Sequence, residues 1–174
     1  MACYNKVMKT CWVLVLMLSL VACSANPSTN LDVAPTTKDT QRYTVTLDQC
    51  TDGDTARVIL NGQSVSVRFL SIDTPELARN GSPAQPYAND AANFTCNHLQ
   101  DADDIVLELD PYLEPQDQYG RWLAYVWIDE VLLQELLIEA GYADLRYAHR
   151  VSLYDQQLQK ILELTQQRRI GRWQ

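Results

Sequence analysis

Residues 55–76 read TARVILNGQSVSVRFLSIDTPE, two runs of alternating apolar and polar residues on either side of Asn61-Gly62. That dipeptide is a strong hairpin signal, because both central positions of the tight turn need φ > 0, which Asn and Gly tolerate. The hairpin accounts for the two runs and leaves a remainder. Arg68 lies within the second run, and Asp73-Thr74-Pro75-Glu76 follows at its exit. A bend needs only one Asp or Asn. Two carboxylates around a Thr-Pro step, with a guanidinium just upstream, form an electrostatic device.

Outward from this hairpin the chain alternates between strand and helix patterns. YTVTL, from Tyr43, reads as a strand, and Asp52-Gly53-Asp54 leads into the hairpin. Downstream, Tyr87, Ala91, Phe94, Thr95 and His98 recur at helical spacing, which predicts a helix over Tyr87–Leu99. DIVLELD (104–110) and GRWLAYVWID (120–129) read as strands, separated by the two-proline loop PYLEPQDQY. EVLLQELLIEAGYA (130–143) predicts an amphipathic helix stopped by Gly141. LYDQQLQKILELTQQRR (153–169) predicts a last helix, with Leu153, Leu158, Ile161, Leu162 and Leu164 on one face and Trp173 folding back onto the body. About five strands with one helix after the third and two more at the end predict an α+β domain: a five-stranded OB-fold β-barrel with three helices. That fold alone names no function.

The N-terminal part has a different composition. Lys6 and Lys9 precede the apolar run CWVLVLMLSLVAC (11–23), which has the length of a secretory signal core and is too short to span a bilayer. Its end, Leu20-Val21-Ala22-Cys23 followed by Ser24, resembles a bacterial lipobox. The resemblance implies diacylation of Cys23, hence a membrane anchor, with 1–22 as signal peptide. The same run also fits an ordinary secretory signal or a short apolar anchor, and Met8-Lys9 makes a more compact start than Met1. Residues 23–42, rich in Pro, Ser and Thr, read as a tether before a domain over 43–174. Export places Cys50 and Cys96 in an oxidising compartment, where they either pair as a disulfide or stay as separate thiols.

Charge narrows the function. The chain has 14 Lys and Arg against 22 Asp and Glu, a net charge of −8. Proteins that hold polyanions by surface charge are usually basic, so any polyanion must be bound at a local positive site, with a metal's help. No Cys/His cluster points to zinc, and no Ser/His/Asp set or phosphate-cradling Gly loop stands out. His98 reads as a residue of the helix surface or its packing.

Four segments exceed what packing needs: Asp52-Gly53-Asp54-Thr55, Arg68, Asp73-Thr74-Pro75-Glu76 and Asp117-Gln118-Tyr119-Gly120-Arg121. In this order and spacing they are similar to the thermonuclease (staphylococcal nuclease-like) family, and the resemblance runs from about Tyr43 to Trp173. It implies an exported, monomeric, Ca2+-dependent endonuclease that acts on DNA and RNA, prefers single strands and leaves 3′-phosphate ends. By the same resemblance Asp54 and Asp73 bind Ca2+ through their carboxylates and Thr74 through its backbone oxygen. Glu76 is the base that activates water, and Arg68 and Arg121 grip the phosphate. Tyr119 and Tyr147 contact the substrate. These residue types suit the chemistry. Hard cations take oxygen ligands, fixed guanidinium forks pair with phosphate oxygens, and a carboxylate accepts the proton of the attacking water. Asp52 itself reads as a turn residue. The chain departs from the family at Gln118, where a lysine is usual, at His149, where a second tyrosine is usual, and in the lysine-poor loop ELARNGSPAQPYAN. These departures imply weaker, salt-sensitive substrate binding. Two rivals lack catalysis: an OB-fold module that only binds nucleic acid or sugar, and an envelope lipoprotein whose acidic face meets a protein partner.

Overall fold

The Asn61-Gly62 turn forms as its residues dictate, with φ of 51° and 79°. It joins β2 (Thr55–Leu60) to β3 (Gln63–Phe69) in a register that sets Leu60 opposite Gln63 and Thr55 opposite Arg68. The alternation reads out directly: Val58 and Leu60 in β2, and Val67 and Phe69 in β3, are buried. This is a computed structural model, and it describes residues 39–146 and 152–174.

The strand β1 (Arg42–Cys50) pairs antiparallel with β2 and also with β5 (Ile105–Glu108). In turn β5 pairs with β6 (Trp122–Ile128), which runs parallel to β3 with Val67 opposite Trp122. The order β3-β2-β1-β5-β6, with β6 returning to β3, closes a five-stranded mixed barrel. Closure leaves these five strands without a free edge. Val58, Val67, Phe69, Leu107 and Tyr125 fill the interior, and Leu133, Leu137, Ile138 and Leu158 continue that core under the helices. Each such apolar side chain contributes roughly 1.5–3 kcal/mol by leaving water.

Three helices accompany the barrel: α1 (Ala88–Asp101), α2 (Leu133–Glu139) and α3 (Asp155–Gln167). The expected OB-fold barrel with three helices is therefore the observed fold. Its helix boundaries differ from the periodicity. Tyr87 adopts φ 67° and stands outside α1 as its N-cap. The start expected at Glu130 for the second helix is overturned. Asp129 and Glu130 take φ of 47° and 67°, forming a tight turn that returns β7 (Val131–Leu132) onto β6. Strand pairing there overrides an apolar pattern that also fits a helix. Similarly α3 starts at Asp155, two residues later than expected.

At the end of α2, Gly141 (φ 72°) meets Gly171 (φ 56°) so closely that a Cβ on Gly141 would lie 2.3 Å from the Ile170 carbonyl oxygen. This contact brings Trp173 back against the core, as expected. Two further short strands, β4 (Ile72–Asp73) and β8 (Asp144–Leu145), pair antiparallel. Cys50 and Cys96 form a disulfide between the end of β1 and α1, so the pairing alternative holds and the separate thiols do not.

Candidate active site

Asp54 is delivered by a turn whose own polar groups are consumed locally. The Asp54 N–H donates to Asp52 Oδ1 at 3.1 Å, and the Asp52 N–H donates to the Thr55 carbonyl at 3.1 Å. Asp52 thus has the turn role read from the sequence. The hairpin register puts Arg68 beside this turn. Beyond β3 the chain bends through Ser71 (φ 66°) into β4, and the β4–β8 pairing fixes Asp73 opposite Asp144.

These elements meet at Arg68, whose side chain is largely buried. Its Nη1 lies 3.2 Å from Asp54 Oδ1 and its Nη2 lies 3.1 Å from Asp73 Oδ1. Thr74 completes the group. Its N–H and its hydroxyl both donate to Asp54 Oδ2, at 2.8 Å and 3.1 Å, while the Thr55 hydroxyl donates to Oδ1 at 3.2 Å. Asp54 is only 7% exposed. Burial pushes its carboxyl up, Arg68 and Thr74 pull it down, Asp52 adds like charge, and the balance lies at about 6. Asp54 and Asp73 share Arg68, so neither carboxylate has that guanidinium to itself.

Glu76 lies on the exposed loop after Thr74. Its backbone is held by Gln85, whose Oε1 accepts from the Glu76 N–H at 3.0 Å and whose N–H donates to the Glu76 carbonyl at 2.9 Å. Glu76 lines a cavity of about 550 Å³ together with Arg68, Asp73, Asp117, Tyr119 and Arg121. The sequence Asp-Gln-Tyr-Gly-Arg becomes a closed loop here, with Gly120 at φ 76°. Asp117 Oδ1 accepts from the backbone N–H of Tyr119 (2.9 Å) and of Arg121 (3.0 Å), and its Oδ2 accepts from Arg121 Nε at 2.7 Å. Burial pushes the Asp117 carboxyl up, but the Arg121 side chain and these backbone donors outweigh it and hold it below the usual range. Arg121 lies over the Tyr119 ring at 5.8 Å, and that ring is 76% exposed.

The structure therefore joins Asp54, Arg68, Asp73 and Thr74 directly and sets Glu76, Tyr119 and Arg121 around the same cavity. Tyr147, His149 and Cys23 lie outside the described residues. Two neighbours of the site had no role assigned from the sequence, Asp117 within its noted segment and Arg146. Asp117 orients Arg121; its four-residue spacing and Gly120 are the available signal. Arg146 reaches Asp73, with Nη1 3.3 Å from Oδ2. It arrives through the β4–β8 pairing, which has no local signal.

Among the described residues no group of three or more His, Cys, Asp or Glu side chains gathers as a metal cage. What is present is an oxygen set, the Asp54 and Asp73 carboxylates with the Thr74 backbone next to them. Oxygen donors of this kind suit a hard divalent ion such as Ca2+ or Mg2+, not a soft metal.

Comparison with known proteins bears on the family. The model of the family described as staphylococcal nuclease homologue matches residues 66–174. Endonuclease YncB of Bacillus subtilis is 42% identical over 105 residues, covering 60% of this chain and 49% of that protein. The SPbeta prophage-derived endonuclease YokF of the same organism is 37% identical over 130 residues, covering 74% of this chain and 43% of that protein. The thermonuclease of Staphylococcus intermedius is 34% identical over 123 residues, with 71% of each chain covered. The chain spans about half the length of the two Bacillus relatives and more of the staphylococcal one.

Proposed function

The chain belongs to the staphylococcal nuclease family, and from that premise we propose that it is a calcium-dependent endonuclease hydrolysing phosphodiester bonds of DNA and RNA. The observation that carries the reading is the cavity that collects two guanidinium groups, Arg68 and Arg121, with the carboxylates of Asp73 and Glu76.

A phosphodiester is already anionic, and water attacking it adds charge to the equatorial oxygens. Arg68 and Arg121 are the groups to meet that charge, since each offers a planar fork that stays protonated. Asp117 holds Arg121 through Nε, so less side-chain freedom is lost when substrate binds. Ca2+ would be held by the Asp54 and Asp73 carboxylates and the Thr74 backbone oxygen, and when bound it supplies further stabilisation of charge on the phosphate. Glu76 accepts the proton of the attacking water on a carboxylate oxygen. The water oxygen bonds to phosphorus as the P–O5′ bond breaks. The departing 5′ oxygen takes a proton from solvent and leaves as a hydroxyl, and the phosphate stays on the 3′ oxygen of the upstream nucleotide. Tyr119 offers an exposed ring face to unstacked bases, which favours single strands, and Tyr147 is the proposed second substrate contact.

The acidic composition and Gln118 leave few cations to meet the substrate phosphates, so binding is weak, and the salt slope of that binding counts the phosphates met. Cys23 is the proposed lipid attachment, which would leave a monomeric enzyme tethered to the cell envelope by residues 23–42; metabolic labelling with palmitate, lost in Cys23→Ala, tests it. For the activity, the test is digestion of single-stranded DNA in Ca2+ and in chelator, with product ends labelled. Ca2+-dependent cleavage leaving 3′-phosphates is expected. Binding without cleavage in Ca2+ would reduce the protein to a nucleic-acid-binding module.

A further inference from the structure

One side of α1 is tied three times to the turn that carries Asp54. Ala91 packs on Gly53 with no space between them. A Cβ on Gly53 would lie 2.9 Å from that of Ala91 and 2.6 Å from the Thr74 hydroxyl oxygen. One helical turn later, the Thr95 hydroxyl donates to the Gly53 carbonyl at 2.7 Å in the interior. The next residue, Cys96, is bonded to Cys50 at the end of β1. Residues four apart on a helix share a face, so the helix grips both arms of the short segment from Cys50 to Asp54. None of these three helix residues lines the cavity or enters the chemistry above.

The segment has a reason to be gripped. Asp54 is a buried carboxylate that shares its guanidinium with Asp73, and a turn carrying such a group gains hydration by relaxing outward. We propose that Thr95 and the Cys50–Cys96 bridge are positioning residues for Asp54, so that the thiol–disulfide state of the chain sets the cation affinity of the cleft. The inference rests on the calcium-dependent reading above. Reduction by a dithiol transfers two electrons and two protons to the bridge, giving two thiols while the dithiol becomes a disulfide. The end of β1 is then released from α1, and the Thr95 hydrogen bond and the Ala91 packing remain as the turn's ties to the helix. The other half of the site, anchored by β3 and by Asp117, is untouched. Loss of the bridge therefore weakens cation binding and leaves the phosphate grip in place. Such a chain needs more cation to fill its cleft while its thiols are reduced, and oxidation restores the tighter binding.

The test is calorimetric titration with Ca2+ of the whole chain when oxidised, after dithiothreitol, and as Thr95→Val and Thr95→Ser. All are compared at a temperature where far-UV circular dichroism shows them equally folded. Affinity should fall by about tenfold on reduction, the scale on which outer partners of metal ligands act, and by a smaller factor in Thr95→Val. Thr95→Ser, which keeps the hydroxyl, should restore it. Oligothymidylate binding in chelator should be the same in every form. Equal Ca2+ affinity in the oxidised and reduced protein overturns the inference, and so does a Thr95→Val variant that titrates like the wild type. If reduction unfolds the domain, Thr95→Val decides alone, because it keeps the bridge. Oxidised wild-type protein that takes up no Ca2+ overturns the calcium reading itself, and the missing heat in that first titration tells the two failures apart.

Discussion

Asp54 and Glu108 are both buried carboxylates beside an arginine, yet their surroundings act in opposite directions. Glu108, 2% exposed, receives Arg42 at 3.0 Å, Trp127 Nε1 at 2.7 Å and the Tyr154 hydroxyl at 2.8 Å on one oxygen. Burial pushes its carboxyl up, but the hydrogen bonds from Tyr154, Thr40, Trp127 and Arg42 outweigh it and hold it below the usual range. Burial together with the bond to Glu108 pushes the Tyr154 phenol up to about 12. Asp54 also has several donors, but burial outweighs both them and Arg68, which is shared with Asp73, and pushes the Asp54 carboxyl up to about 6. The contrast separates a carboxylate used to hold the fold from one kept short of positive charge. Proteins leave a group in the second condition where something else is to bind.

The largest expected effects lie on the charge-poor side. Glu76→Gln should lower kcat by roughly 10²–10⁴-fold, the usual contribution of a positioned general base, with the melting temperature unchanged because Glu76 is exposed. Steady-state kinetics beside a thermal melt checks both halves. On the other side, Glu108→Ala should destabilise the fold, by roughly 1–3 kcal/mol for each buried donor left unpaired. Urea unfolding reads that loss, and kcat of the folded variant should stay near wild type. A large activity loss with full stability in Glu108→Ala would dissolve the contrast.

The acid limb of stability gives a finer test. Because the folded Glu108 carboxyl is held below its unfolded value, its contribution is present above the unfolded pKa of about 4.3 and is lost as pH falls through the folded pKa. Glu108→Gln should therefore flatten the acid side of a plot of melting temperature against pH. The smallest effect expected is at Tyr119, where Tyr119→Ala should raise KM on single-stranded DNA by the roughly 1–3 kcal/mol of one base stack and Tyr119→Phe should not.

The residues legible in the sequence are those whose geometry is local. Asn61-Gly62 fixes a register, the register puts Arg68 opposite Thr55, and Asp73 to Glu76 follow within one short turn. The DQYGR loop is likewise complete in itself, although the orienting part played by Asp117 becomes visible only once the loop closes. What stayed hidden depends on residues far apart in the chain. The two-residue β4–β8 pairing that brings Arg146 to Asp73 has no pattern of its own. The turn at Asp129-Glu130 uses residues that seldom take positive φ, and the apolar run after it fits a helix equally well. The choice between a disulfide and two thiols at Cys50 and Cys96 needed the packing of α1, because spacing alone leaves it open.

The parallel seam between β3 and β6 has a mechanical consequence. Arg68 belongs to one of these strands and Arg121 immediately precedes the other, so their spacing is set by the ladder that pairs Val67 with Trp122 and Arg68 with Leu123. The two guanidinium groups proposed to meet the substrate thus share one mount, and the seam that closes the barrel is also the one that brings them together. Loosening that joint parts both hands at once, so catalytic competence and closure of the barrel rise and fall as one event.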